Sequence, residues 1–144
     1  MPDWEERFSG ALHGTARSWR QAVDRRLKRL GVSQASWLTI AFAAKAERPL
    51  SQSELAEGLA VEGATMVAMV DRLVTAGLAK REPSLTDRRV KHVVLSEAGR
   101  RLYEVVKTEA ALVRRELLAH IDPKALEAAT GVLETLHRVI ESAR

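Results

Sequence analysis

The sequence predicts a mainly α-helical fold with one small β-hairpin. Apolar residues recur every three or four positions over most of the 144 residues, which is the spacing of amphipathic helices. Capping residues, glycines and prolines divide this pattern into separate helices. A run of strand-forming residues, Val93, Val94 and Leu95, follows a charged loop. By its length, the chain is expected to form one domain over residues 1–144.

The first two helices are predicted from their apolar residues and their ends. The first runs from about Trp4 to Leu30, and Gly31 ends it. Its apolar stripe comprises Phe8, Leu12, Ala16, Trp19, Val23, Leu27 and Leu30. Its opposite face is basic and carries Arg17, Arg20, Arg25, Arg26, Lys28 and Arg29. Ser33 is placed to cap the second helix, whose apolar composition predicts burial of Trp37, Leu38, Ile40, Ala41 and Phe42.

A short helix, a turn and a longer helix are predicted over residues 51–77. Ser51 and Glu54 form a capping box, so the short helix begins at Ser51 and ends near Gly58. The longer helix begins at about residue 62, and Gly77 ends it because glycine adopts the left-handed conformation at little cost. Its buried stripe is predicted to be Met66, Val67, Val70, Leu73 and Val74. Its exposed face is predicted to present Thr65, Ala68, Met69 and Arg72.

The next segment indicates a β-hairpin with a long, basic loop. Residues 78–82 and 90–95 are strand-like, and the loop between them is too long for a two-residue turn. The basic residues of the whole hairpin are Lys80, Arg81, Arg88, Arg89 and Lys91, against the acidic Glu82 and Asp87. An isolated loop of this kind is usually a solvated surface feature. Directly after a helix-turn-helix pattern, it indicates the wing of a winged helix-turn-helix that binds double-stranded DNA.

The last two helices belong to neither the helix-turn-helix nor the wing. Ser96 is predicted to cap a helix that reaches about His120, and Asp122-Pro123 starts another that runs nearly to the C-terminus. Each carries an apolar stripe that must be buried. We therefore expect residues 1–32 and 97–144 to supply dimerisation helices, and residues 33–96 to form the winged helix-turn-helix. A homodimer would place two recognition helices at a two-fold symmetric spacing.

Several motifs of the chain resemble the MarR family of bacterial regulators, and its SlyA-like branch in particular. They are SQSELAEGL, the segment Thr65 to Leu73, AGL at 76–78, DRR at 87–89 and LSEAGR at 95–100. The stretch SWRQAVDRRLKRLGVSQASW is also similar to the first helix of that branch and its junction with the second. The resemblance implies a homodimeric winged helix-turn-helix repressor or activator that small aromatic acids often relieve.

The DNA contacts expected from the sequence are of three kinds. Ser51 and Ser53, at the start of the short helix, are placed to meet phosphates. The exposed face of the longer helix is expected to read bases. Arg88 or Arg89 is expected to enter the minor groove with Asp87 orienting an arginine, since Asp87-x-Arg89 matches the wing pairing of the family, and Lys91 adds positive charge.

One residue of the longer helix departs from the family. Ala68 stands where many members carry arginine or another polar residue. An alanine cannot make the bidentate contact to guanine, but it can touch a thymine methyl group. Shape and thymine-methyl contacts are therefore expected to carry much of the specificity.

Because SlyA-like relatives are often relieved by aromatic carboxylates, the resemblance implies a site for such a ligand between the dimerisation helices and the DNA-binding lobe. An arginine can bind a carboxylate in a two-pronged geometry, while an indole and aliphatic groups hold the ring. The candidate residues are His13, Ala16, Arg17, Arg20 and Trp37. The alternatives are that Trp37 is a core residue, and that the arginines are solvated or face the DNA backbone.

The sequence gives no sign of an enzyme, a cofactor or a metal site. The phosphate-binding spacings GxxxxGK[ST] and GxGxxG, the metal motif HExxH and the nucleophile motif GxSxG are all absent. There is no cysteine, no apolar run long enough to cross a membrane and no signal-peptide pattern, so we expect a cytoplasmic protein. The net charge of +4 mildly favours a polyanionic partner.

Two other functions stay open at this point. A winged-helix protein-interaction module that has lost DNA binding would explain Ala68, although it would have little need for Arg88 and Arg89. A small-molecule-binding or catalytic protein on a helical scaffold is the third hypothesis.

Overall fold

The computed structural model describes residues 3–144 and confirms the predicted mainly helical fold. A three-stranded antiparallel sheet, in the order β1-β3-β2, accompanies the helices. In chain order the elements are α1 (Trp4–Lys28), α2 (Gln34–Lys45), β1 (Leu50–Ser51), α3 (Gln52–Gly58), α4 (Gly63–Thr75), β2 (Ala79–Pro83), β3 (Lys91–Leu95), α5 (Glu97–Leu118) and α6 (Pro123–Ser142). Residues up to Ala110 form one compact unit and residues 111–144 a second, with α5 crossing the boundary.

Strand β1 is an element that the sequence pattern did not predict. It is only two residues long, and its register pairs Leu50 with Val93 and Ser51 with His92. The central strand β3 pairs on its other side with β2, so that Ala79 lies opposite Leu95 and Arg81 opposite Val93. Because β1 directly precedes α3, this pairing ties the start of the helix-turn-helix to the wing.

The main core lies between the helix-turn-helix and the sheet. It comprises Ile40, Leu50, Leu55, Ala56, Met66, Met69, Val70, Leu73, Ala79, Val93 and Leu95. In α4 the predicted burial of Met66, Val70 and Leu73 is confirmed. The predicted exposure of Met69 is wrong, since its exposed fraction is only 9%. Val67 and Val74, predicted to be buried, are 40% and 36% exposed.

The arc of α4 that faces the core explains these corrections. Successive helical residues are rotated by about 100°, so Met69 shares an arc with Met66 and Leu73. Val67 and Val74 lie on one flank of that arc. Apolar spacing alone cannot distinguish a flank from a centre when the apolar residues cover more than half of the helix circumference.

A second buried cluster joins the end of α1 to α2 and α5. Leu27, Val32 and Val106 form its centre, and Trp37 packs against it. The indole ring of Trp37 also stacks on Tyr103, with ring centroids 5.5 Å apart. In α2 the predicted burial of Ile40 and Ala41 is confirmed, whereas that of Leu38 and Phe42 is wrong, since their exposed fractions are 46% and 36%.

The basic face of α1 is not uniformly solvated. The Arg26 guanidinium lies 3.3 Å from the Glu109 carboxylate of α5. The Arg26 side chain is 25% exposed and the Glu109 side chain 30%. The first half of α1 is more open: Trp4 is 67% exposed and Phe8 43%. Within residues 3–144, the structure contains no helix that is both long and apolar enough to cross a membrane.

The second unit also presents apolar side chains to solvent. None of the residues of α6 is buried, and the exposed apolar residues of this unit include Leu112, Leu117, Ile121, Val132, Leu133, Val139 and Ile140. Asp122 caps α6 through a hydrogen bond from the Ala125 amide, with Pro123 in its first turn, as the sequence predicted.

Candidate nucleic-acid interface

The capping box at the start of α3 is confirmed in full. The Ser51 hydroxyl accepts a hydrogen bond from the Glu54 amide at 3.1 Å, and the Ser51 amide donates to the Glu54 carboxylate at 3.2 Å. The Arg48 guanidinium also donates a hydrogen bond to this carboxylate. The pKa of Glu54 is lowered to about 2, mainly by the hydrogen bond from Arg48 and then by the one from the Ser51 amide. The Ser51 amide is thus already used within the helix, whereas Ser53 is exposed.

The outer face of α4 presents a small and mostly uncharged surface. Thr65, Ala68 and Arg72 are exposed and lie outside the arc of the helix that faces the core. The helix begins after Glu62, whose side chain makes no capping hydrogen bond. Of the four predicted base-reading residues, the structure therefore brings three to one surface, and Met69 lies in the core instead.

The end of α4 is fixed by hydrogen bonds that also anchor the start of α5. Gly77 adopts a φ of 75°, its amide donates to the Val74 carbonyl and the Leu78 amide donates to the Leu73 carbonyl. This is the Schellman arrangement expected at a helix C-terminus. The Ser96 hydroxyl then donates to the Gly77 carbonyl at 2.6 Å. The exit of the recognition helix and the exit of the wing are therefore held together.

The wing loop is ordered by Ser84, a residue that was not among the predicted site residues. Ser84 is only 7% exposed, and its hydroxyl accepts hydrogen bonds from the amides of Thr86 and Asp87 at 3.3 and 3.4 Å. Its own amide donates to the Val90 carbonyl at 2.8 Å. A loop serine can hydrogen-bond the backbone two residues further on, so Ser84 in the segment 83–87 is a local turn signal.

The predicted wing ion pair is present in the structure. The Arg89 guanidinium donates to both oxygens of the Asp87 carboxylate, at 3.1 and 3.2 Å, and the Arg89 amide donates to it at 3.0 Å. These hydrogen bonds lower the pKa of Asp87. The Arg89 side chain nevertheless remains 91% exposed. Arg88 and Lys91 are exposed as well.

Two other cations of the hairpin are neutralised within the fold. Lys80 pairs with Glu82 at 2.9 Å on the outer face of β2. Arg81 turns inward and pairs with Asp71 of α4 at 2.6 Å. The concentration of positive charge available at the wing is thus smaller than the sequence suggests, and it is centred on Arg88, Arg89 and Lys91.

The predicted ligand residues are not assembled into one site. His13, Arg17 and Arg20 are exposed along α1, and Ala16 is half-buried. Trp37 packs instead on Tyr103 and the cluster around Leu27. Arg17 precedes Leu27 by ten residues, which is about 15 Å along a helix axis. This packing favours the interpretation of Trp37 as a core residue.

The three-stranded sheet, the helix pair α3–α4 and the ordered wing define the class of a winged helix-turn-helix protein. The sequence model of the MarR family matches residues 30–90. The transcriptional regulator PA3341, of known crystal structure, is 36% identical over 94% of this chain and 98% of that chain, with a TM-score of 0.80. The chain therefore belongs to the MarR family of transcriptional regulators. Membership of this family confirms the prediction that the chain is not an enzyme.

Two more distant solved structures share the fold. Staphylococcus aureus MarR, solved in complex with salicylate and kanamycin, is 21% identical, with 97% of this chain and 94% of that chain covered and a TM-score of 0.86. CouR from Rhodococcus jostii, solved with p-coumaroyl-CoA, is 20% identical, with 94% and 95% covered and a TM-score of 0.78.

Proposed function

We propose that the chain controls transcription as a homodimer that binds pseudo-palindromic double-stranded DNA through α4 and the wing. The observation that carries this proposal is the ordered wing, which holds Arg89 almost fully exposed. An exposed ion pair contributes only about 0–1 kcal/mol to stability, so the Asp87–Arg89 pair itself has little structural benefit. A fixed, exposed guanidinium at a loop tip suits the narrow minor groove, where the negative potential is enhanced.

In this proposal α4 lies in the major groove and reads few bases directly. Thr65 and Arg72 supply the polar contacts, and Ala68 meets a thymine methyl group. Ser53 and Lys91, both exposed, contact phosphates. Ser51 contributes only through its hydroxyl, because its amide is bound to Glu54. A site read in this way depends strongly on DNA shape.

Dimerisation is proposed for residues 1–32 and 97–144, with the winged helix-turn-helix over residues 33–96 of a single domain. Both compact units carry exposed apolar side chains, among them Trp4 and Phe8 on α1 and Leu133 and Ile140 on α6. A second copy would bury these surfaces and place two recognition helices about 34 Å apart, or a multiple of that distance. Sedimentation at micromolar concentration tests this, since a monomer that binds one half-site contradicts it.

Relief by a small aromatic carboxylate is the regulatory part of the proposal. The resemblance to the SlyA-like branch suggested it, and the complex of Staphylococcus aureus MarR with salicylate supports it. Arg17 and Arg20 lie earlier in α1 than the residues of the cluster in which Trp37 packs. We therefore propose that the ligand site is completed by residues of a second copy of the chain. Such a ligand weakens DNA binding only to the extent that it binds more tightly to the dimer whose recognition helices are spaced wrongly for DNA.

Salicylate titration, followed by operator affinity and tryptophan fluorescence, tests the ligand. Arg17→Ala and Arg20→Ala should abolish the response, while Arg25→Ala, an exposed arginine of the same helix, should keep it. A wild-type protein that shows no change at millimolar salicylate contradicts this part of the proposal.

Selection of bound fragments from the DNA of the source organism tests the proposed function as a whole. The expected result is a set of pseudo-palindromic sites, bound far more tightly than random DNA. Recovery of no enriched fragment would instead support a winged-helix interaction module, for which the uncharged Ala68 at the centre of the recognition face is the motivation. Because the proposed site is chromosomal DNA, a cytoplasmic location is part of the proposal.

A further inference from the structure

Arg81 occupies an unusual position for a charged residue, on the inward face of a wing strand. Side chains alternate along β2, so Arg81 shares a face with the buried Ala79, while Lys80 and Glu82 point outward. Its strand partner Val93 is also buried. The Arg81 side chain is 26% exposed. A guanidinium placed there requires compensating acceptors, because desolvation of an unpaired charge is costly.

Three acceptors from two helices surround the Arg81 guanidinium. Nε donates to the Gln52 side-chain oxygen at 2.6 Å, and a terminal nitrogen donates to the Asp71 carboxylate at 2.6 Å and to the Val67 carbonyl at 3.4 Å. Gln52 is the first residue of α3. Val67 and Asp71 are successive positions on one flank of α4. One planar group therefore joins the wing to both helices of the helix-turn-helix.

We infer that Arg81 is a positioning residue, which sets the recognition helix at a fixed angle to the wing, and that it is not a phosphate contact. This inference rests on the proposed function. The planar guanidinium cannot turn toward DNA without giving up acceptors on α3 and α4. If the angle between α4 and the wing is fixed in this way, α4 can contact its bases while Arg89 enters the minor groove of the same DNA site. Loss of Arg81 then impairs specific binding more than non-specific binding.

The contrast with a direct phosphate contact is sharpest at Asp71. Asp71→Asn removes a negative charge beside the DNA-binding surface and takes the ionic partner from Arg81, which keeps Gln52 and Val67 as acceptors. If Arg81 were a phosphate contact, this variant would bind the operator more tightly. If Arg81 positions α4, the variant binds the operator more weakly, in spite of its more favourable charge. The two interpretations therefore predict changes of opposite sign.

The experiment measures operator affinity, random-DNA affinity and their salt dependence for the full-length protein. Arg81→Met, which keeps much of the side-chain volume, is expected to lower the ratio of operator to random-DNA affinity by about tenfold, a typical coupling within one hydrogen-bond network. Its salt dependence is expected to match the wild type. A fall of about 0.9 in the log–log slope, the value for one lost phosphate contact, would overturn the inference.

Matched variants separate positioning from loss of charge and from loss of stability. Lys80→Met removes a cation from the outer face of the same strand and should leave the affinity ratio unchanged. The double variant Arg81→Met/Asp71→Asn should lose no more operator affinity than the more impaired single variant, since both belong to one network. All proteins are compared well below their melting temperatures. An Arg81→Met protein that melts earlier but keeps the wild-type ratio overturns the positioning role.

The same measurements distinguish the failure of this inference from failure of the proposed function. If the wild-type protein prefers an operator and Arg81→Met keeps that preference, the positioning role alone is wrong. If the wild-type protein shows no preference for any DNA sequence, both are wrong.

Discussion

Replacement of Arg89 by alanine is the most direct perturbation of the wing. The loop itself should keep its conformation, because the hydrogen bonds of Ser84 with Thr86, Asp87 and Val90 do not involve the Arg89 side chain. Asp87 loses the guanidinium that lowers its pKa, yet a carboxylate of ordinary pKa stays ionised at neutral pH. The variant therefore removes a cation from the wing and leaves an unpaired anion beside the DNA.

The structure sets the expected magnitudes. Since the Arg89 side chain is 91% exposed, stability should change by less than about 1 kcal/mol. A charge-assisted hydrogen bond contributes about 1.5–3 kcal/mol, so operator affinity should fall by about tenfold to a hundredfold. The log–log salt slope should flatten by about 0.9 or less, because Asp87 already offsets part of the Arg89 charge.

Fluorescence anisotropy with labelled operator, repeated at several salt concentrations, measures all of these quantities. Arg88→Ala is the matched control, since it removes the neighbouring exposed arginine and spares the ion pair. We expect a smaller effect from it. Wild-type affinity for both variants would refute the assignment of the wing to the minor groove, and an effect confined to Arg88→Ala would assign the groove contact to that residue.

Three further predictions concern the fold and its readout. Gly99→Ala places a Cβ 2.1 Å from the Leu78 carbonyl oxygen, so melting should show a loss of about 1–3 kcal/mol, whereas Gly10→Ala, with nothing within 4 Å, should be neutral or stabilising. Folding lowers the pKa of Glu54 from 4.5 to about 2, so its ionised form stabilises the protein above about pH 5. Urea denaturation should therefore show Glu54→Gln less stable than wild type at neutral pH, with the difference shrinking as the pH falls toward 2. Uracil in place of thymine should weaken operator binding where Ala68 meets a methyl group, and unchanged affinity at every position would exclude such contacts.

The local signals of the sequence predicted the element boundaries well. The capping box of Ser51 and Glu54, the left-handed Gly77 and the Asp122-Pro123 start all occur as expected. Each of these depends on hydrogen bonds between residues within a few positions of one another. A short stretch of sequence therefore contains all the groups that decide where each of these helices begins or ends.

The sequence also indicated the kind of protein, since the helix-turn-helix pattern and the Asp87-x-Arg89 wing are both local motifs. The same motifs did not determine which residues of the recognition helix face outward. Met69 is buried and Val67 is exposed because the core-facing arc of α4 depends on where the sheet lies. That position is set by strand pairings such as Leu50 with Val93, over more than forty residues of sequence.

Only the tertiary structure decided how the charged and aromatic residues are used. Arg81, one of several wing cations in the sequence, is bound to Gln52 and Asp71. Trp37, a candidate ligand residue, stacks on Tyr103 of α5. A side chain in the sequence specifies what it can bind, but the partner that it finds depends on distant segments that folding brings within a few ångströms. The helices and their caps follow from near neighbours, whereas the roles of Arg81 and Trp37 follow from contacts that no local pattern encodes.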